Sequence, residues 1–389
     1  MIDSIINIKP VGQLDTIDLE VDSPDHNFYC NDICVSNSHA ISYSALTAMS
    51  LYLKFKYPLD FFLESLKLAK DKQDISTEIN LIQSELKYFN INLLPPDLVK
   101  SDLDFKKEGN NLRFGLSAIK GIADKSLERL KEFLSAEKVT KFDVFNAAQN
   151  SKLNIGILSA LIQAGTLSSI EEDRPRLVFE SQLYNQLTPR EKLWCMEHGA
   201  KYGYSLFNIL LAADEIIDKT GKRVFKETRL DTLKKKAEPY RNIYKINSKA
   251  PELASYVFET RLLGFSYSQK LSQLMNKYSS STVMSLFKSK FEDDDSKFSV
   301  TGDIIDIQER TSKKGKGYIK IDISDESGQS ELLLFEPNLT KLKEQGKIPK
   351  TGDIVIADIQ KWNGTCTVKD LKVCTDKVYL KLSELKIED

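Results

Sequence analysis

The sequence predicts a multidomain α+β protein with a short β head, a long α-helical middle and a C-terminal β-barrel. Three observations predict it. Near the start, Ile17, Leu19 and Val21 alternate with Asp18, Glu20 and Asp22, the two-residue period of a strand with one wet face. From Ser38 apolar residues recur at spacings of three and four, which is the helical period. From Phe298 the text returns to short β runs punctuated by Gly302, Gly315, Gly328, Gly352 and Gly364.

Bulk properties narrow the class. A chain of 389 residues has room for roughly two to four domains with sizeable cores. Hydrophobic content of 41% with 29% charged residues fits a globular protein rather than a disordered one. The apolar runs are too short to cross a bilayer, and the run IINI stops at Lys9 and Pro10, so no secretory signal is visible. Cys30, Cys34, Cys195, Cys366 and Cys374 form no CxxC pair, which argues against a zinc site and for reduced thiols in a cytoplasm. No metal ligands and no membrane contact are expected.

Charge is unevenly placed. Residues 1–37 hold one lysine against seven acidic residues, a net of −6, which leaves +5 for residues 38–389 out of a total of −1. A mildly basic body suits a DNA-facing module.

The head continues after a Ser23-Pro24-Asp25 break with a short strand from His26, a turn at Asn31-Asp32 and a second strand through Ile33-Cys34-Val35. Thirty-seven residues of such strands cannot bury a core alone, so the head needs a partner surface. TIDLEV, DHNFYCNDICVSN and the following Ser together resemble the C-terminal splicing blocks of inteins. Their length after Met1 resembles the C-terminal half of a split intein. The resemblance implies catalytic roles for Asn37, Ser38, His26 and Asp18. Ser38 would take an acyl group from the partner fragment onto its hydroxyl. The Asn37 side-chain amide would attack its own backbone carbonyl and release Ser38, helped by His26 as acid/base. Asp18 would tune the first acyl shift, and the ester on Ser38 would rearrange to an amide through its neighbouring amine. Many inteins carry His before the last Asn, where this chain has Ser36. The partner would be an N-terminal intein half fused to an upstream fragment. The head's charge predicts that this half is basic and that the encounter is salt-sensitive.

In the body, Ile41, Ala45, Ala48, Met49, Tyr52 and Phe55 mark a helix that Pro58 ends while opening a second. A third runs through Ile79, Ile82 and Leu86, and Leu-Pro-Pro-Asp at 94–97 is a loop. SHAISYSALTAMSLYLKFKYPLDFF, LLPPDLVKSDLDF, LRFGLSAIKGI, LIQAGTLSSIEEDRPRL and ETRLLGFSYS follow in the order that resembles bacterial C-family DNA polymerase III alpha subunits. The Asn37–Ser38 boundary then reads as an intein insertion inside a finger motif. The resemblance places His39 and Tyr43 near the incoming nucleotide, although Tyr43 also reads as a packing residue. Asp102 and Asp104 look like paired palm carboxylates, but in the family the palm precedes the fingers. Magnesium would therefore be held by an upstream part, and splicing itself needs no cofactor.

IKGIADKSLERL at 119–130 reads as a helix-hairpin-helix turn. Such turns present backbone N–H groups and a helix start to phosphate without reading bases. Lys120, Gly121 and Lys125 are its candidate contacts, with Ala123 where a second glycine is usual. A second unit centres on Gly165, with Arg174 following, and it also reads as a plain helical hairpin. Residues 178–258 are mostly helical, with Lys234, Lys235 and Lys236 as a solvated run. The stretch from Gln269 to Met275 is faintly similar to a sliding-clamp motif and reads better as a helix with an apolar stripe. The five C-terminal strands with a helical insert near 337–346 fit an OB barrel. Its first loop brings Lys313, Lys314 and Lys316 beside Tyr318, charge and a ring that suit single-stranded DNA. A solubilising loop with a cross-strand tyrosine fits the same residues.

The expected domains are an intein fragment at 1–37, a fingers segment at 38–108, a helix-hairpin-helix region at 109–178, a helical connection at 179–290 and an OB-fold domain at 291–389. The expected function is the C-terminal precursor of a split replicative DNA polymerase, joined to its upstream part by trans-splicing. Template-primer and single-stranded DNA, the clamp and other replisome subunits would be its partners. A non-splicing accessory DNA-binding protein and a contiguous intein-containing polymerase are the alternatives.

Overall fold

The computed structural model describes residues 27–30, 33–36, 38–72, 75–276, 282–312, 315–336, 338–346 and 348–374. The chain divides into two units, Met1–Phe61 and Phe62–Asp389.

In the first unit, β1 (Asn27–Cys30) and β2 (Ile33–Ser36) pair antiparallel, with Asn27 opposite Ser36, while the turn expected at Asn31-Asp32 lies outside the described residues. Helix α1 (Ser38–Lys56) follows, and Ser38 and His39 stand in its first turn. Its Tyr43, Leu46, Met49, Tyr52 and Phe55 are all exposed. Pro58 opens α2 (Pro58–Leu68) as expected, a position where its missing N–H costs nothing.

The second unit begins where α2 buries Phe62 and Leu66. Helix α3 (Ile75–Leu86) buries Ile79 and Leu86, and Phe62 meets Phe89 edge to face at 5.1 Å. Three very short strands follow, β3 (Leu93–Leu94), β4 (Lys106–Glu108) and β5 (Asn111–Arg113), in the order β3-β5-β4. The Arg113 guanidinium grips Glu108 through two bonds and donates to the Pro95 carbonyl at 2.7 Å. Gly115 lies so close to the Asp104–Phe105 peptide that a Cβ would sit 2.5 Å from the Asp104 carbonyl carbon.

Helices α4 (Leu127–Ser135), α5 (Lys141–Asn150), α6 (Ile155–Gln163), α7 (Arg174–Asn185), α8 (Pro189–His198), α9 (Leu206–Leu211), α10 (Glu227–Asn247) and α11 (Pro251–Leu263) build the middle. Their starts are chemically marked. Thr140 with Asp143 and Thr188 with Glu191 form capping boxes, and Asn154, Asp173 and Ser205 accept from helix-start N–H groups, each cap stabilising by about 1 kcal/mol. Lys141 reaches Glu180 at 2.6 Å with both side chains buried, tying α5 to α7. Lys234, Lys235 and Lys236 are exposed, as expected of a solvated run.

After Gly264, whose φ of +88° ends α11, come α12 (Leu271–Met275), β6 (Val283–Met284) and α13 (Leu286–Ser289). Leu271, Leu274 and Met275 are buried, so α12 is the apolar helix expected and offers no clamp-binding stripe. The barrel consists of β7 (Lys297–Thr311), β8 (Gly317–Asp325), β9 (Gly328–Phe335), α14 (Asn338–Glu344), β10 (Ile354–Trp362) and β11 (Thr365–Val373). Strand order β10-β11-β9-β8-β7 is closed by β7 pairing with β10, and β9 runs parallel to β11. This five-stranded closed barrel, with a helix between its third and fourth strands, has the topology of an OB fold. Val300, Ile319, Ile321, Ile323, Leu332, Leu334, Val355 and Val368 fill its interior, each contributing about 1.5–3 kcal/mol relative to exposure.

The barrel meets α11 along a seam. The Tyr256 hydroxyl donates to Asp303 of β7 at 2.5 Å. Asp303 lines a cavity of about 510 Å³, and desolvation by the surrounding protein pushes its carboxyl from 3.8 up to about 6. The Tyr256 hydroxyl and Arg261 offset part of this, while Asp325 and Glu326 add to it.

Two predictions follow from these contacts. Gly115→Ala should destabilise by about 1–3 kcal/mol, read as a lower urea midpoint at unchanged slope. Because the fold favours protonated Asp303, its contribution is fully present below pH about 4 and is lost as pH rises through about 6. The melting temperature of Asp303→Asn should therefore gain on wild type between pH 4 and pH 8; a constant gap would refute the assignment.

Candidate nucleic-acid interface

The first hairpin turn faces outward. A helical turn at Leu116–Ala118 leads through Ile119 to Ala123, and a second helical turn at Asp124–Ser126 enters α4. Lys120, Gly121 and Lys125 are exposed. Gly121 has φ +96° and no atom within 4 Å of where a Cβ would stand. Its glycine is thus required by backbone conformation, and space remains for a ligand's approach. Ala123 sits in extended backbone at φ −88°, a conformation any residue adopts, so the missing second glycine imposes no strain. The turn is anchored from behind by Lys120 N–H donating to the Leu262 carbonyl of α11 at 3.0 Å.

The second hairpin is different, and two expectations for it are corrected. Gly165 has φ +83° and is buried against Tyr267, whose hydroxyl would lie 1.9 Å from a Cβ. Its glycine serves close packing rather than a phosphate. Arg174 is 5% exposed. Its guanidinium contacts Glu259 at 2.6 Å, donates to the Tyr267 hydroxyl at 3.1 Å and to the Gln163 carbonyl at 3.2 Å. An arginine held on three sides inside the protein cannot reach a phosphate. Burial pushes the Tyr267 hydroxyl up to about 12, so it stays protonated and donates to the Ala164 carbonyl at 3.0 Å.

On the barrel, Tyr318 points outward with the even-numbered residues of β8, opposite Arg310 on β7 and Phe335 on β9. Tyr318 and Phe335 rings lie 5.1 Å apart, a paired aromatic platform that was not expected from the sequence. The signal was present: Phe335 shares parity with Leu333, outside the buried Leu332 and Leu334. Lys316 is exposed, in a loop closed by Ser312. Lys320, on the same face, is engaged by Glu331 at 2.8 Å. Trp362 is also exposed, where β10 turns into β11 through Asn363 and Gly364, both with positive φ.

Asp18, His26, Asn37, Lys313 and Lys314 lie outside the described residues. Tyr43 lies in α1, in the other unit. Asp102 and Asp104 do not fit a magnesium site: Asp102 faces Lys106 at 3.1 Å, and Lys70 bonds Asp104 and holds its carboxyl below the usual range. Among the described residues no helix is long and apolar enough to cross a membrane.

Three variants test the expected roles. Lys120→Ala with Lys125→Ala should lower the salt dependence of duplex affinity by about two phosphate contacts. Tyr318→Ala should weaken single-strand binding by about 1–3 kcal/mol. Arg174→Ala should instead cost about 3–5 kcal/mol of stability, seen in denaturant melts, with the salt slope unchanged.

Residues 90–177 match the model of a helix-hairpin-helix motif. The DNA polymerase III subunit alpha of Aquifex aeolicus is 34% identical over 146 residues, 37% of this chain and 12% of that protein. That of Halalkalibacterium halodurans is 24% identical over 344 residues, 88% of this chain and 27% of that protein. The chain thus spans well under a third of the length of these relatives. A mitochondrial single-stranded DNA binding protein from S. cerevisiae is 21% identical with a TM-score of 0.19, covering 21% of this chain and 96% of that one. The chain is accordingly similar to part of DNA polymerase III alpha subunits, with a helix-hairpin-helix motif and a C-terminal barrel of OB type.

Proposed function

We propose that this chain is the DNA-handling portion of a replicative DNA polymerase, with the exposed Lys120–Gly121–Lys125 turn holding duplex phosphate and the Tyr318–Phe335 face holding single strand. The observation that carries this reading is similarity to alpha subunits across 88% of the chain. The outward hairpin turn and the aromatic barrel face supply chemistry suited to backbone and to unpaired bases. Template-primer DNA and other replisome subunits are its proposed partners, with magnesium chemistry belonging to other parts of such a polymerase. Mixed with an upstream alpha-subunit fragment that holds the palm, this chain should restore primer extension. No gain over the fragment alone would count against it.

A further part of the reading concerns the head. We infer that residues 1–37 act as a splicing half that joins residues 38–389 to the upstream fragment. The β1–β2 hairpin ends at Ser36 and α1 begins at Ser38, so a change of secondary structure falls at the candidate scissile bond. Asn37 would cyclise, Ser38 would carry the acyl group, and His26 and Asp18 would manage protons. Co-expression with a candidate intein half should yield a ligated product by mass spectrometry, abolished by Ser38→Ala and Asn37→Ala. Only intact precursor across all such complements would end the splicing reading and leave the polymerase reading in place.

A further inference from the structure

Three residues of α11 carry three separate attachments. Leu262 accepts from Lys120 N–H, which holds the outward hairpin turn. Glu259 holds Arg174 and, with its other oxygen, the Ser266 hydroxyl and the N–H groups of Tyr267 and Ser268. Tyr256 bonds Asp303 on the first barrel strand. Their spacing of three and then three places them about one turn apart along a rigid rod. The barrel end is reinforced from the other side. Leu253, Tyr256 and Val257 share an apolar cluster with Ile354 and Ile356 of β10 and with Leu271, Leu274 and Met275 of α12. Glu326, in the β8–β9 turn, accepts from Leu271 N–H at 2.9 Å and from the Ser272 hydroxyl at 2.8 Å.

From this arrangement we propose that α11 is a strut that fixes the hairpin turn and the barrel face at one separation, so that a DNA with a duplex arm and a single-stranded arm is bound by both at once. Tyr256, Glu259 and Glu326 are its positioning residues and touch no DNA themselves. The inference rests on the DNA-binding reading above and adds a coupling between its two surfaces. A rigid linkage makes the second contact intramolecular, and such linkage raises affinity by about 10²–10⁴ over either contact alone when the geometry permits both. A loose linkage would keep both component affinities and forfeit much of that gain.

The test uses the full chain and three DNAs: a plain duplex, a plain single strand, and the two joined as a tailed duplex. Wild type should bind the tailed duplex at least tenfold more tightly than either component. Tyr256→Ala combined with Glu326→Ala strips the seam without touching either proposed DNA surface. This variant should keep duplex and single-strand affinities within about twofold, which also shows that both surfaces remain folded, and should lose most of the tailed-duplex gain. Tyr256→Phe, which removes only the hydroxyl, should show a smaller loss and serves if the double variant misfolds. A wild-type chain that binds both components but shows no gain on the tailed duplex overturns the strut. So does a seam variant with the gain intact. Binding to neither component by wild type overturns the DNA reading itself, and the strut with it.

Discussion

The Glu259 carboxylate, wholly out of solvent on α11, is the constraint around which the second unit is arranged. A buried carboxylate without partners costs many kcal/mol. Here one oxygen faces the Arg174 guanidinium and the other collects three donors from residues 266–268. These contacts define geometry at both ends. Arg174, so held, seats Tyr267 against Gly165 and closes the α6–α7 turn. The three donors in turn force the chain after Gly264 to fold back toward α11. An apolar pair of similar volume would pack as well, but it would not specify which turn meets which helix.

The same device recurs one layer away. Glu180 of α7 is also fully buried, and it is held by Lys141 of α5 and Arg176. Arg176 donates onward to Ser205, the cap of α9. Helices α5, α7 and α9 are thus linked through one charged cluster, and aromatic residues of α5, α7 and α10 pack in pairs beside it. Phe142 stacks on Tyr184 at 5.6 Å and Phe179 on Tyr244 at 5.3 Å. Apolar packing provides the magnitude of stabilisation, and the buried charges select the arrangement.

What the sequence revealed follows from how local each signal is. The barrel strands were legible because each carries several repeats of a two-residue period: the expected run from Phe298 to Arg310 is β7 at Lys297–Thr311, and the helical insert is α14. The Pro58 break was legible because a proline's effect on helix continuity is local. The β3-β5-β4 sheet was not. Strands of two or three residues have no period to read, and Leu93 finds its partner Leu112 only through the tertiary fold. Arg174 misled because an arginine after a hairpin turn has the same local text whether it faces solvent or a buried glutamate. Glu259 lies far along the chain in a helix whose own pattern gives no sign of it. The Lys120–Gly121–Lys125 turn was legible since exposure, positive φ and charge are all local properties there. The Tyr318–Phe335 pair was half legible: the tyrosine stood beside a basic loop, whereas the phenylalanine was hidden in an apolar run whose register only pairing fixes.

The connecting segment between α11 and the barrel shows why a boundary drawn from sequence is less sharp than the text implies. Helices α12 and α13 have five and four residues, far below the length at which a helix persists alone. Their first N–H groups are satisfied from the barrel itself. Glu326 caps α12, Asp325 accepts from Leu286 N–H at 2.8 Å, and the Ser327 hydroxyl accepts from Phe287 N–H at 2.9 Å. One β-hairpin turn therefore starts two helices that precede it in sequence. Burial raises the Asp325 carboxyl, opposed by the bonds it accepts from Ser327 and Leu286. The cap is thus made by a carboxylate whose desolvation is offset only while those donors stay in place. Asp325 also accepts from Ser327 and Gly328 within its own turn, and among the described residues the N–H groups of Leu271 and Leu286 are partnered only by carboxylates of that turn. Segment and barrel are in this sense a single cooperative element, and the helices are best regarded as the barrel's attachment to α11 rather than as a linker ahead of it.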